Sequence, residues 1–547
     1  MPLEPVRPSA ARSTFIVMAA SALSAILGFG REIVTAHYFG TRSEVDAFLN
    51  ASTVPTVLFG VFNGALVAAL VPTFSDYISL GRVEEASKLG STVLNALLFV
   101  TTALAGLGWL LAPYFVPVVA HGFPPAEQAL VVEMVRWLMP GIVATSLGGV
   151  CAALLNANHR FLATAIICVA ANLVTIGVVV ALHRDLGIFA LVLGSVLGLF
   201  AQLLVLIPSM LRHHLYRLAL DLRHPGLART WALLLPVVVG SGAAQINIAF
   251  DRYFASTLSA GSTASLGYTT KLTYLPITIV AMAIATVTFP LIAGQFASSN
   301  RAGVRRSVSL ALRMVSFIVI PCAAGLSALA YPIVLTLFER GAFGPTSTAL
   351  CAGLVPYACV PLITTSYNTV LVRACYACKE VRSAVAGSSL AVVINIALSA
   401  TWSPILGARG LLLANGASGL FLLIFLAALF WRLIGGFELK PLLSSFSRIV
   451  LASLAMVGVL YWILSAPFAP AATLVSRACY LAGLLAVGAA VYLVAARGLC
   501  VEELTITARA LMQKFGQRGA PLVPATAVAD VLGQDDRADT APPPGRT

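Results

Sequence analysis

Residues 24–72 read SAILGFGREIVTAHYFGTRSEVDAFLNASTVPTVLFGVFNGALVAALVP. The stretch is apolar enough for two membrane helices, yet it carries Arg31, Glu32, His37 and Asp46. An ionisable group at membrane depth costs roughly 2.5–3.5 kcal/mol on insertion scales, so it normally faces water or a partner. Four such groups in adjacent helices predict a polar cavity inside a helical bundle. The rest of the chain reads as the means of building and enclosing that cavity.

Composition agrees. Of 547 residues, 59% are hydrophobic and 10% are charged, and the mean hydropathy is +0.94. A soluble domain carries about 25% charged residues, so the chain reads as an all-α polytopic membrane protein. Apolar runs of about 20 residues give about 14 spans. They fall near 13–38, 45–74, 88–118, 128–156, 161–182, 187–211, 229–257, 264–296, 304–329, 346–376, 381–402, 407–433, 446–465 and 474–496. The net charge of +13 does not point to nucleic acid. Its Lys and Arg residues gather in alternate loops, as at Arg212, Arg217, Arg223 and Arg229, or Arg301, Arg305 and Arg306. That asymmetry predicts cytoplasmic sides for those loops and for both termini. The first 12 residues lack a signal-peptide cleavage site, so the first span reads as retained. Cys375 and Cys378 form a lone CxxC, read as small packing residues. No HExxH, Walker loop or nucleophile elbow is present, which argues against an enzyme.

The chain repeats itself. HYFGT (37–41) is echoed by RYFAS (252–256), and Pro55 and Pro72 by Pro276 and Pro290. APYF (112–115) leads to HGF (121–123) as YPIV (331–334) leads to RGAF (340–343), and Asn172 matches Asn395. The offset of roughly 220 residues corresponds to six spans, which makes the repeats parallel. The expected organisation is a cytoplasmic N-terminus (1–12), an N-lobe (13–211) and a linker (212–228). A C-lobe (229–433), two further spans (434–497) and a cytoplasmic tail (498–547) follow. Within the tail, 501–515 reads as an amphipathic interfacial helix and the remainder as disordered. The two six-helix lobes would enclose a central cavity, with the prolines of its helices as hinge candidates.

Polar groups recur at matching places: Arg31, Glu32, His37 and Asp46 in one half, and Gln245, Asn247, Asp251, Arg252 and Lys271 in the other. No nucleophile or metal set stands beside an acid–base pair. Cations facing a cavity suffice to hold an anion, and a guanidinium suits phosphate through two parallel hydrogen bonds. The competing reading is that Arg31–Glu32 and Asp251–Arg252 only neutralise local charge. Neighbours in a helix do not face each other, so neither pair need be satisfied internally. Asp251 is a candidate for a coupling cation or a partner for Arg252 or Lys271. His37 reads as interfacial beside Tyr38. Glu133 and Arg136 read as an i, i+3 ion pair.

These stretches resemble the MurJ/MviN lipid II flippases of the multidrug/oligosaccharidyl-lipid/polysaccharide exporter superfamily. The matching segments are LGFGREIVTAHYFG…VDAF (27–48), LVPTFSDY (70–77), LLNANHRF (154–161), DRYFASTLSAGSTASLGYTTKLTYLP (251–276), TVTFP (286–290) and LFERGAF (337–343). The resemblance implies 14 helices, two lobes, a cationic cavity and transfer of lipid-linked peptidoglycan precursor to the periplasmic leaflet. It carries the pattern onto Arg31, Glu32, Asp46 and Lys271; with Arg252 from the reading of the residues these are the candidate substrate contacts, and Asp251 is a candidate ion-coupling residue. Ala25, Phe59 and Gly60 stand where the family pattern has arginines, and Lys271 replaces another. The expected function is a lipid II flippase of the bacterial inner membrane. It would work without a cofactor, coupled to sodium ions, protons or the membrane potential. Its expected partners are the lipid-linked glycan, membrane lipids and the cell-wall synthesis machinery, with no nucleic acid. Export of another polyprenyl-linked oligosaccharide is the first alternative, and a drug/cation antiporter the more distant one.

Overall fold

The computed structural model describes residues 9–158, 160–213, 215–216, 219, 221, 225–465 and 473–508. The readings of the first eight residues, much of the 212–228 linker and the tail beyond 508 lie outside these. Every regular element among the described residues is a helix, because helices satisfy their own backbone groups where no water can. In chain order they are α1 (Ser9–Phe39), α2 (Ser43–Ser79), α3 (Val83–Val119), α4 (Pro125–Leu138), α5 (Pro140–Ala157) and α6 (Phe161–Leu186). Then come α7 (Phe189–Arg212), α8 (Pro225–Ser256), α9 (Ser262–Pro276), α10 (Met282–Ala297), α11 (Arg301–Ala328) and α12 (Ala330–Phe338). The last five are α13 (Pro345–Ala377), α14 (Val381–Leu406), α15 (Ala408–Ile434), α16 (Leu439–Ser465) and α17 (Leu474–Gly498).

Among the described residues, 11 helices are long and apolar enough to cross a membrane. α1, α2 and α8 fall outside that set but run to 31, 37 and 32 residues. Large apolar side chains point outward, as Phe99 (67% exposed) and Val494 (72% exposed) do, which suits lipid as the surrounding solvent. The expected span 128–156 is interrupted at Met139, where Pro140 opens α5 without a backbone N–H to offer. The expected span 264–296 continues from α9 into α10 through a π-helical turn, Ile277–Ala281. That wide turn follows Pro276 directly, which is where a missing N–H loosens the helical ladder.

Two compact units are present. One comprises Met1–Lys271, Leu337–Leu354 and Val392–Ala414; the other Leu272–Thr336, Val355–Ala391 and Asn415–Thr547. They divide the chain at different points from the six-span repeat. In the first unit α2, α3, α5 and α7 share a core of Leu70, Phe74, Leu89, Leu154, Leu155 and Leu206. Small residues bring α6 and α7 together: a Cβ on Gly198 would lie 2.7 Å from Thr175 Oγ1 and 2.9 Å from the Ala171 carbonyl.

In the second unit α11 packs on α16, and Tyr492 of α17 donates to the Phe317 carbonyl at 2.6 Å. Residues 502–508 are helical, but this segment does not merely lie on a surface. Glu503 is fully buried, bonded to Arg313 and accepting from Ser445 Oγ at 2.9 Å. Arg313 also reaches Glu502 at 2.5 Å. The CxxC cysteines are both free and buried. Burial pushes the Cys378 thiol up to about 11, so it stays protonated near neutrality.

Candidate substrate-binding site

Arg31 and Glu32 lie in α1 and Lys271 in α9, all within the first unit. Arg31 Nη2 donates to Glu32 Oε1 at 2.9 Å and Lys271 Nζ to the same oxygen at 2.7 Å. Adjacent residues of a helix were expected not to face each other; the long guanidinium arm of Arg31 nevertheless folds back onto its neighbour. Two cations therefore share one carboxylate and leave one net positive charge. The Arg31 side chain is 34% exposed and that of Lys271 50%, while Glu32 is 16% exposed. The cations are accessible and the acid beneath them fixes their position. An arriving phosphate would compete with Glu32 for both donors.

Aromatic rings flank this cluster. Tyr268, one turn before Lys271, lies 5.3 Å from Phe338 and 5.6 Å from Phe343 between ring centroids, and Phe29 lies 5.9 Å from Phe338. Tyr268 is buried and donates to the Gly40 carbonyl at 3.1 Å. Here three chain crossings meet. Ala342 N donates to the His37 carbonyl at 2.8 Å, and Thr41 and Ser347 hydroxyls lie 2.6 Å apart. Gly341, at φ +60°, fits because a Cβ would stand 2.3 Å from that same His37 carbonyl.

Asp46 does not join the cationic cluster. It is 2% exposed, and its two oxygens accept from Gly261 N and Ala264 N, each at 2.6 Å. These are N–H groups at the start of α9, so the carboxylate caps that helix across a long sequence separation. A buried acid reads the same in sequence whether it faces a cavity or ties down a helix end. Arg252 is half-buried, and the carboxylates acting on it are Asp251 and Asp46. It too stands apart from the Arg31 cluster. Glu133 and Arg136 form no ion pair; the Arg136 guanidinium lies 4.7 Å from the Trp109 ring centroid and donates to the Trp109 carbonyl.

Asp251 belongs to a separate polar group. Asn395 Nδ2 donates to Asp251 Oδ1 at 3.0 Å and to Asn247 Oδ1 at 2.8 Å, and Asn247 Nδ2 reaches Asp251 Oδ2 at 3.4 Å. Buried Asn395 Oδ1 and Ser399 Oγ have no partner. The oxygen-rich set has the chemistry of a hard-cation site, although no cluster of three His, Cys, Asp or Glu residues occurs among the described residues. The repeat partner Asn172 bonds the Ser24 carbonyl of α1 at 3.4 Å. Each matched asparagine thus ties the fifth span of its half to the first.

The arginine-replacing positions differ in their surroundings. Ala25 is exposed. A Cβ on Gly60 would lie 2.6 Å from Gln245 Nε2, so the amide of α8 fills the space where a side chain would begin. The Phe59 side chain lies outside the description.

A sequence profile of the lipid II flippase MurJ family matches residues 35–482. The probable lipid II flippase MurJ of Rhizobium meliloti (strain 1021) is 29% identical over 509 residues, covering 89% of this chain and 94% of that protein. Among solved structures, a lipid II flippase MurJ in an inward closed conformation aligns with a TM-score of 0.76 at 24% identity, over 89% of this chain and all of that one. An inward-facing multidrug resistance MATE transporter of the MOP superfamily aligns with a TM-score of 0.65 at 13% identity, over 77% and 98%. At such identities the two structural likenesses establish a common fold. The profile match over most of the length goes further: this multi-pass membrane protein is a transporter rather than an enzyme, and belongs to the lipid II flippase MurJ family.

Proposed function

We propose that the chain moves lipid II, an undecaprenyl-pyrophosphate-linked glycan, from the cytoplasmic to the periplasmic leaflet of a bacterial inner membrane. The observation that carries this reading is the pair of accessible cations, Arg31 and Lys271, held on one carboxylate within apolar helices. The guanidinium grips a pyrophosphate oxygen pair bidentately and the ammonium adds a point charge. The polar headgroup crosses inside the protein while the prenyl chain stays in lipid. Alternating access exposes the site to each side in turn, with Pro276 and its π turn as one bending point. In this reading both termini are cytoplasmic and the Gly40, Gly261 and Gly341 loops periplasmic, which the loop charges support. Coupling uses a cation held by Asp251 with Asn247, Asn395 and Ser399, whose oxygens suit it. The partners are the lipid-linked glycan, bilayer lipids and the enzymes that consume the glycan outside.

The test is transport in proteoliposomes. Purified protein is reconstituted with fluorescent lipid II, and outer-leaflet label is quenched over time. Wild-type protein should move label between leaflets, and Asp251→Asn should slow movement while leaving lipid II binding intact. Absence of movement by folded wild-type protein under an imposed ion gradient would refute the reading.

A further inference from the structure

The second unit contains a cavity of about 570 Å³ between α10 and α13, lined among others by Thr286, Phe289, Thr365, Asn368, Arg373 and Tyr376. Arg373 lies four residues before the end of α13, about 6 Å from it along the axis. Its Nη1 donates to Thr286 Oγ1 at 2.6 Å and its Nη2 contacts Met282 Sδ at 3.7 Å. Among the described residues no carboxylate pairs with it. This half-buried guanidinium on a mostly apolar wall, with no acid beside it, is open to another anion or to water.

Asn368 supplies a second indication. It is 7% exposed, and its Nδ2 donates to the Gly419 carbonyl at 2.8 Å. Its Oδ1 is buried with no donor. A buried acceptor left unpaired is costly unless a ligand completes it. The lining residues thus offer a fork-shaped cation, the exposed Thr365, two aromatic rings, Phe289 and Tyr376, and on Asn368 a buried acceptor that a small side-chain rotation would present. The chemical complement is a phosphate ester carrying hydroxyl or amide N–H donors on a compact ring, which describes a glycosyl phosphate. Phosphate matches the fork, the donors match Asn368, and the ring packs on the aromatic surfaces.

We propose that this pocket binds the glycosyl-phosphate part of the lipid-linked substrate, as a second phosphate site in the unit that lacks Arg31 and Lys271. The assignment rests on the transport reading above. A substrate with two phosphates and two sugars offers groups for both sites, so one can take hold as the other releases.

The experiment is native mass spectrometry of the full chain in detergent, titrated with heptaprenyl lipid II and separately with dioleoyl phosphatidate, a phosphate lipid with no sugar. Arg373→Gln should weaken lipid II binding by about tenfold or more, the size of a lost charge-assisted hydrogen bond. Arg373→Lys should fall between, and Thr365→Val should show a smaller loss. Phosphatidate should bind weakly and alike to all of them. Arg373→Lys and Thr365→Val, which keep the charge and the volume, carry the test where Arg373→Gln does not assemble. Equal loss of both lipids would make the pocket a general phospholipid site and overturn the assignment. Lipid II binding weakened by Arg31→Ala but by no pocket variant would overturn the pocket alone. Wild-type protein that binds no lipid II would overturn both readings.

Discussion

Arg31, Lys271 and Asp46 are all charges set in apolar helices, but their chemistry separates them. Arg31 and Lys271 share Glu32 Oε1, so removing either leaves the other still held in place. Arg31→Ala should abolish transport at normal membrane levels. Arg31→Lys should retain part of it, because a point charge replaces a fork; transport normalised to inserted protein is the readout. Asp46 has a different job. Asp46→Ala strips the acceptor from two buried N–H groups, a loss on the order of 3 kcal/mol. It should lower the melting temperature of the purified protein, with Asp46→Asn falling between. The sequence marks all of these residues as costly intramembrane charge. It does not say which face a cavity, because burial and partner choice depend on helices more than 200 positions away, as Gly261 and Ala264 are from Asp46. The same blindness hides Arg136, whose partner is the ring and carbonyl of Trp109 rather than Glu133 one turn before it.

At the level of elements, helices were the readable part, since a 20-residue apolar run in lipid has no other way to satisfy its backbone. The exceptions fall at proline. Pro140 begins α5, and Pro276 precedes the π turn. The matched asparagines behave alike: Asn172 and Asn395 each reach the first helix of their own half. Of the helix read over 501–515, residues 502–508 are described and are helical, and one of their acids is not on a surface. Glu503 is instead buried against Arg313 and Ser445. Breaking a buried ion pair by removing one partner typically costs about 3–5 kcal/mol. Glu503→Ala should therefore destabilise the protein far more than Glu502→Ala, whose side chain is 67% exposed. Thermal unfolding of the two variants side by side checks this, and equal melting temperatures would show that the pair is dispensable.

For the whole molecule, composition identifies lipid as the solvent, and loop charge predicts the direction. Reporters fused after Arg223 or Lys440 should read cytoplasmic and one near Gly261 periplasmic. A periplasmic signal at Arg223 would reverse the direction of transport. What sequence alone leaves open is the cargo, because the cationic site is smaller than the family pattern leads one to expect: Ala25 and Gly60 offer no charge, and Gln245 occupies the space beside Gly60. The decisive measurement is therefore rescue of a bacterium depleted of its own lipid II flippase, with lipid II in each leaflet quantified. This chain should restore growth and periplasmic lipid II, and the Arg31→Ala variant at equal membrane abundance should restore neither. Inner-leaflet lipid II that keeps accumulating despite abundant, inserted wild-type protein would contradict lipid II transport.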